Sequence, residues 1–182
     1  LCNSLEAFGG FYRNLLSKGR DVIPVKNEIE IIKDYLDLQK LRYGNEISYE
    51  IWVDEEINDF KVLKMILQPV VENSIIHGIR PKGQAGTVIV KGEHKGDFLY
   101  FSISDDGVGM DRDTLLHLLD PPEGEEKDIS VAHTGLGMYA VHQRLRYLYG
   151  EEYGLTADSE PGNGTCIKIC IPFTKGEEKT WS

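Results

Sequence analysis

Three glycine pairs of the form Gly-x-Gly constrain this chain more than any other feature of its sequence. They are Gly107–Gly109, Gly135–Gly137 and Gly162–Gly164. Glycine has no Cβ, so the backbone can turn sharply at each pair and another group can approach it closely. The first pair is preceded by Asp105, which gives the pattern Asp-x-Gly-x-Gly. Each pair alone is more typical of a turn than of a binding site, so the segments between the pairs decide the interpretation.

Those segments alternate between strand and helix patterns. Alternating apolar residues predict a strand at 47–53, and four further segments predict strands at 87–94, 98–105, 153–159 and 165–172. A polar turn at 95–97 joins two of these strands, and a turn at 161–164 makes the last two a hairpin. Helical patterns are interleaved with the strands, so the predicted fold class is α+β.

The helical patterns also precede the strands. Residues 1–43 have apolar side chains at helical spacing with a break at Pro24, and Asn27 is the predicted N-cap of a helix that Gly44 ends. Residues 61–79 predict one long, mostly apolar helix, and shorter patterns predict helices at 110–120 and 136–150.

Composition limits the possible partners. The formal net charge is −10, which argues against nucleic acid, because such binding needs clustered Lys and Arg to neutralise phosphates. An acidic chain can still bind ATP through Mg²⁺ and backbone N–H groups. The three cysteines have no metal-type spacing, which favours a reducing, cytosolic compartment. No segment has the length and apolar composition of a membrane span or a signal peptide.

Polar residues near the end of the 61–79 helix are the next candidates for a site. Asn73 and His77 are four residues apart and share a helix face, while Glu72 lies about 100° around the helix. A capped helix end with a satisfied histidine would explain them equally well. Gly135 and Gly137 are predicted to lead directly into a helix, where free N–H groups and the helix dipole favour an anion. A plain turn is the alternative there.

The order of the stretches is more specific than any one of them. The sequences QPVVENSIIHG, DDGVG, HTGLG and PGNGT, in this order, resemble the N, G1, G2 and G3 boxes of the nucleotide-binding domain of sensor histidine kinases, in the GHKL ATPase superfamily. The segment VKNEIEIIKDYLDLQKLRYG and the following LQPVVENSIIHGI resemble the LytS/YesM type of these kinases.

The resemblance implies a two-layer α/β sandwich, with a mixed sheet packed against helices and an N-terminal helical segment. It implies that residues 1–43 end a helical dimerisation and phospho-acceptor region. Residues 44–174 would form the ATP-binding domain, and 175–182 a charged tail. A response regulator, a homodimer and a membrane anchor upstream of a cytoplasmic catalytic domain are also expected from it, and nucleic acid is not.

The resemblance also assigns roles at the base of the nucleotide. Asp105 would accept a hydrogen bond from the adenine amino group, and Gly107 and Gly109 would let the base come close. Gly164 and the Thr165 hydroxyl would complete the adenine side.

The remaining roles concern the phosphates. Asn73 would be the Mg²⁺ ligand, Glu72 stands where hydrolytic relatives keep a general base, and His77 would lie beside the nucleotide. The phosphates would be held by Thr134, Gly135, Leu136 and Gly137, under a lid formed by 119–134 that is expected to be mobile without nucleotide.

Two departures from the family pattern leave alternatives open. Many relatives carry a phosphate-binding lysine where this chain has Ile76; Arg80, Lys82 or Lys127 are candidates to replace it. None of the five histidines stands in a phospho-acceptor context. The alternatives to a histidine kinase are a GHKL serine kinase of the anti-sigma-factor type and a degenerate nucleotide-sensing module.

Overall fold

The computed structural model describes residues 22–121 and 133–173, with only the backbone described at 133–136. The strands are β1 Val22–Pro24, β2 Ile47–Val53, β3 Lys61–Leu63, β4 Gly86–Lys95, β5 Phe98–Asp105, β6 Gly154–Ser159 and β7 Thr165–Pro172. The helices are α1 Val25–Tyr43, α2 at 68–82, α3 Arg112–His117 and α4 His133–Tyr149; short 3₁₀ turns occur at Gly44–Glu46 and Glu55–Ile57.

The main sheet has five strands in the order β2-β4-β5-β7-β6. β2 and β4 are parallel, and every other neighbouring pair is antiparallel. The strands predicted at 47–53, 98–105 and 165–172 are confirmed to the residue. The strand predicted at 87–94 is one residue longer at each end, and the strand predicted at 153–159 begins one residue later. Both predicted hairpin turns are present, and the mixed sheet confirms the α+β class.

Helices cover one face of this sheet. Along β5 and β7, and along β4 as far as Gly92, every second residue is buried, as period-two alternation requires when one face is packed and the other is open. The buried face joins apolar side chains of α1, α2 and α4 in one core. On the open face Trp52 is 63% exposed. The structure is therefore a two-layer sandwich, as expected.

The prediction of one long helix over 61–79 is wrong in its first part. Lys61–Leu63 forms β3, which pairs antiparallel with β1, and the helix begins only at Gln68. Met65 adopts a left-handed conformation, with φ of 60°, which breaks any helix there. Pro69 then stands in the first turn, where its missing N–H costs nothing. Four of the apolar residues from 62 to 67 are buried in strand and loop, while Met65 is 43% exposed, so burial outside a helix produced the helix-like pattern.

Helix α2 consists of three consecutive parts. Gln68–Asn73 is α-helical, Ser74–Ile79 is π-helical and Arg80–Lys82 is α-helical. A π-helical segment widens the turn and often occurs at functional sites. It lies here in the QPVVENSIIHG stretch.

Two predicted helix starts are corrected by the structure. Helix α1 begins at Val25 after Pro24, so Asn27 lies inside its first turn and is not the N-cap. Helix α4 begins at His133, so Gly135 and Gly137 lie within its first turns and not ahead of it. The short helix expected near 110–120 is present as α3, capped by Asp111, which accepts from the Thr114 N–H at 2.7 Å.

Some expectations fall outside the described residues. These are the helical pattern before residue 22, most of the 119–134 lid, Lys127 and the charged tail. Within the described parts of the chain, no helix has the length and apolar character needed to cross a membrane.

Candidate functional site

Asp105 is a buried carboxylate at the C-terminal end of the central strand β5. Its side chain is 8% exposed, and Oδ1 accepts a hydrogen bond from the Gly107 N–H at 3.0 Å. Desolvation by burial raises the pKa of Asp105, while hydrogen bonds from the Ser74 hydroxyl and from the backbone of Gly107 and Thr165 act in the opposite direction. A carboxylate kept with few donors in a desolvated place is a strong acceptor for one further N–H group.

The helix α2 packs against Asp105 through a glycine. A Cβ on Gly78 would lie 2.5 Å from Asp105 Oδ1, and a Cβ on Gly107 would lie 2.2 Å from the carbonyl carbon of Gly78. The Val108 N–H also donates to the Gly78 oxygen at 2.9 Å. The loop after β5 and helix α2 therefore touch backbone to backbone, which only glycine permits at these positions.

The same loop meets the turn before β7 in the same way. Gly109 and Gly164 have φ of 66° and 78°, and a Cβ on either would lie 1.9 Å from a carbonyl oxygen, of Glu160 and Asp105 respectively. The Gly162 N–H donates to the Val108 oxygen at 2.7 Å. We call Gly78, Gly107, Gly109 and Gly164 the glycine cluster. It brings together three of the four stretches singled out in the sequence.

Ser159, which the sequence did not mark, holds the loop after β5 to the turn before β7 by hydrogen bonds. Its Oγ accepts from the Met110 N–H at 2.9 Å, donates to the Gly164 oxygen at 2.8 Å and lies 3.0 Å from Thr165 Oγ1. Thr165 is itself buried beside Asp105. No sequence pattern marks Ser159, since a serine at a strand end is common.

Glu72, Asn73 and His77 lie on α2, and we call them the α2 polar group. The first two are half-buried and His77 is exposed. Glu72 Oε1 accepts from Gln68 Nε2 at 2.9 Å. Desolvation, followed by the positive charge of Arg80, lowers the pKa of His77, so the imidazole is neutral at pH 7. A neutral ring suits a position beside a nucleotide.

Two described candidates to replace the lysine missing at Ile76, Lys82 and Arg80, already have partners within the fold. Lys82 Nζ donates to the Asp106 oxygen at 2.7 Å and lies 3.4 Å from Asp106 Oδ2, so this cation is already held by the loop after β5. Asp106 Oδ1 in turn accepts from the Thr87 N–H at 2.8 Å. Asp106, for which no role was predicted, therefore links β4, β5 and α2. The guanidinium of Arg80 lies over the Tyr43 ring, 5.1 Å from its centroid.

The fourth stretch reaches the site through α4. A Cβ on Gly137 would lie 3.3 Å from Pro69 Cβ, so this glycine lets α4 pack closely against the first turn of α2. The backbone of Gly135 and Leu136 lies in the first turn of α4. The first turn of a helix has N–H groups without intrahelical partners, which can bind an anion.

The donor set on α2 suits Mg²⁺ only together with a ligand. No group of three or more His, Cys, Asp or Glu that could hold a metal ion occurs within 22–121 and 133–173. Asn73 offers one neutral oxygen, and Mg²⁺ is commonly held by one or two protein oxygens plus phosphates and water. The residues present therefore fit an ion that arrives with a nucleotide.

Comparison with protein families decides the classification. Residues 58–175 match the model described as histidine kinase-, DNA gyrase B- and HSP90-like ATPase, which covers all four stretches. The chain belongs to this ATPase family. Residues 2–47 also match the histidine kinase model. This match includes all of α1 and ends at the first residue of β2.

Curated members of this ATPase family with similar sequences are sensor kinases. The chain is 30% identical to the sensor protein LytS of Bacillus anthracis over 169 residues, covering 93% of this chain and 28% of that protein. It is 26% identical to the sensor histidine kinase YesM of Bacillus subtilis over 168 residues, covering 92% and 27%. The chain thus spans little more than a quarter of the curated relatives that it matches.

Solved structures of this ATPase family share the fold. The histidine kinase domain of the Erythrobacter litoralis EL346 blue-light activated histidine kinase superposes with a TM-score of 0.58 at 21% identity, covering 83% of this chain and 62% of that one. The Acinetobacter baumannii histidine kinase AdeS gives a TM-score of 0.61 at 15% identity, covering 85% and 67%. These matches confirm the expected GHKL architecture.

Proposed function

We propose that this chain binds ATP and is the phosphoryl-donating half of a two-component sensor histidine kinase. The observation that carries the proposal is Asp105, a buried carboxylate surrounded by the glycine cluster at the end of β5. Asp105 accepts the adenine amino group, and the backbone around Gly107 and Gly109 forms the wall against which the base lies. Thr165, Gly164 and Ser159 hold that wall in place.

The α2 polar group acts at the phosphates. Asn73 holds Mg²⁺, which when bound neutralises charge on the phosphate oxygens during transfer. His77 lies beside the nucleotide as a neutral ring, and Glu72 orients the attacking group or, in hydrolysis, water. Thr134, Gly135, Leu136 and Gly137 at the start of α4 bind phosphate oxygens. This assignment rests on the position of α4 against α2 through Gly137 and Pro69.

The phosphate acceptor is a histidine of the full-length protein outside this chain. His142 Nδ1 accepts from the Leu155 N–H at 3.0 Å, and His94 packs edge-on against the stacked rings of Phe60 and Phe173. His117 lies 2.6 Å from Asp120, and His77 belongs to the α2 polar group. Phosphoryl transfer needs an acceptor delivered in line with the γ-phosphate, and these four side chains are built into the folded domain.

The wider assignments are part of the same proposal. The acceptor region continues through residues 1–43, the ATP-binding domain comprises 44–174, and 175–182 is a tail. The full-length protein forms a homodimer, is anchored in a membrane upstream of this cytoplasmic domain and passes its phosphate to an aspartate of a response regulator. The match of residues 2–47 to the histidine kinase model supports this reading over a serine kinase of the anti-sigma-factor type.

The test is incubation with γ-labelled ATP and Mg²⁺. This chain and a chain extended upstream by one or two helices are compared. We expect acid-labile, base-stable label on the extended chain alone. Such label on the short chain would show that the acceptor has been misplaced. Label on neither, with ATP binding intact, would favour a degenerate nucleotide sensor.

A further inference from the structure

Glu28 is a buried carboxylate that the nucleotide site does not use. It lies on α1, its side chain is 0% exposed, and it occupies a core position of the helix together with Val25, Ile32 and Leu36. A carboxylate is rarely buried unless its oxygens have firm partners. Glu28 therefore needs a structural explanation.

Both oxygens of Glu28 bind the loop that precedes α2. Oε2 accepts from the Met65 N–H at 2.8 Å, and Oε1 accepts from the Leu67 N–H at 3.0 Å. Met65 is the single non-glycine residue with positive φ in the described parts of the chain, and Gln68 begins the helix directly after Leu67. The carboxylate thus fixes the turn that sets where α2 starts.

A second contact joins the far ends of the same two helices. The Arg80 guanidinium lies over the ring of Tyr43, the last residue of α1, at 5.1 Å from its centroid. Glu28 and Tyr43 are 15 residues apart, about 22 Å along α1 at 1.5 Å per residue, and their partners Leu67 and Arg80 lie at opposite ends of α2. The two helices therefore run side by side in the same direction and are joined near both ends.

Between these two contacts, Tyr35 of α1 lies within electrostatic reach of Glu72 on α2. The half-buried Tyr35 has its pKa raised to about 12, first by desolvation and then by the negative charge of Glu72. Glu28, Tyr35 and Tyr43 follow one another at spacings of seven and eight residues, so they share one face of α1. That face follows α2 along the segment that carries the α2 polar group.

We propose that Glu28 is a positioning residue for the phosphate side of the site: through the Met65–Leu67 turn, it makes the placement of Glu72 and Asn73 depend on helix α1. The inference rests on the proposed function only in calling that side the phosphate side. A displacement of α1 along its axis would move the start of α2, which carries Glu72 and Asn73, whereas Asp105 would be affected only through the contacts that Ser74 and Gly78 of α2 make with it. Helix α1 thereby couples the region upstream of it more directly to the phosphates than to the base.

The first test needs no nucleotide. Glu28→Gln places an amide nitrogen against one of two N–H donors, so one bond is lost and a repulsion is gained. Hydrogen exchange is measured along the chain for this variant, for Glu30→Gln, an exposed carboxylate on the same helix, and for Ile32→Val, which loses one core methyl group. We expect exchange throughout 68–82 to accelerate at least tenfold in Glu28→Gln alone, with β5 and β7 unchanged. Acceleration limited to 65–67 would overturn the proposal.

The second test measures ADP affinity by calorimetry with EDTA and with Mg²⁺, below the melting temperature of every variant. For Glu28→Gln we expect the ADP affinity measured in EDTA to stay within twofold of that of the unmodified chain. The factor by which Mg²⁺ increases the ADP affinity should fall at least fivefold. Ile32→Val should lose melting temperature but keep the full increase with Mg²⁺. If Mg²⁺ increases the ADP affinity by the same factor in Glu28→Gln and Ile32→Val, Glu28 only stabilises the fold and does not position the phosphate side. Failure of the unmodified chain to bind ADP would contradict the proposed function and leave the exchange result to decide the role of Glu28.

Discussion

The glycine cluster leaves no space for a side chain, whereas the residues of the α2 polar group are half-buried or exposed. In the cluster, each added Cβ would lie within 2.5 Å of a backbone or carboxylate atom of a neighbouring segment. On α2, Asn73 is half-buried, His77 is exposed and Glu72 has a hydrogen bond to Gln68 within its own helix. The glycine cluster thus holds three segments of the fold together and, in the proposed function, also shapes the wall for the base, while the residues proposed to act at the phosphates lie outside the buried core. Substitutions should therefore change stability at the first place and function alone at the second.

Gly164→Ala is expected to have the largest effect on stability. Its Cβ would lie 1.9 Å from the Asp105 oxygen at a φ of 78°, so the turn must move away from β5. We expect a loss of at least about 3 kcal/mol in the free energy of unfolding, as for a severe overpacking, measured by urea denaturation.

Gly162→Ala is the matched control for that variant. Gly162 has a φ of 80°, but nothing lies within 4 Å of its added Cβ. It should lose only about 1–2 kcal/mol from left-handed strain. If both variants lose the same free energy of unfolding, the close backbone approach at Gly164 does not contribute to stability.

Asn73→Ala is expected to have the largest effect on function with almost none on stability. Because Asn73 lies outside the buried core, the free energy of unfolding should stay within about 0.5 kcal/mol. Mg²⁺-dependent phosphoryl transfer to an acceptor fragment should fall about a hundredfold, about 2.7 kcal/mol in activation free energy. Retained transfer, or a large loss of stability, would assign Asn73 a structural role and erase the contrast between the two regions.

Lys82→Met should have the smallest effect and tests which cation serves the phosphates. Lys82 is held by Asp106, with its side chain 28% exposed. We expect less than about 1 kcal/mol of lost stability and ATP affinity within twofold of the unmodified chain. A tenfold loss of ATP affinity without a change in ADP affinity would instead identify Lys82 as the substitute for the lysine absent at Ile76.

The sequence predicted the sheet well because its strands have one buried face. The alternation in β5 and β7 follows directly from that geometry, and the predicted limits of both strands agree with the structure. The start of α2 was not predictable in the same way. Four of the six residues from 62 to 67 are apolar and buried, and burial produces the same sequence signal in a loop, a strand and a helix.

The site could be foreseen where glycine or charge marked it. Asp105, Gly107, Gly109 and Gly164 stood out, and the structure brings them together. Ser159 and Asp106 act through hydrogen bonds between segments distant in sequence, so no local pattern marks them. Glu28 could have been found by one feature of the sequence: it is a carboxylate at a position where the helical spacing of buried residues in α1 predicts an apolar side chain. Helix α4 was predicted to start at 136, after Gly135, but it starts at His133. Glycine occurs both in turns and inside helices, so it did not mark the true start.

Titration calorimetry of ADP against the unmodified chain and Asp105→Asn tests the central claim most directly. The buried carboxylate faces donors from Ser74, Gly107 and Thr165 and is expected to accept one more from adenine. In Asp105→Asn, one of the two acceptor oxygens is replaced by an NH₂ group, which faces N–H or O–H donors and cannot accept from them. The account predicts ADP affinity weakened at least tenfold, or about 1.4 kcal/mol, in a variant that remains folded. Equal affinity in the two proteins would contradict the assignment of Asp105 to adenine and, with it, the placement of the nucleotide in the glycine cluster.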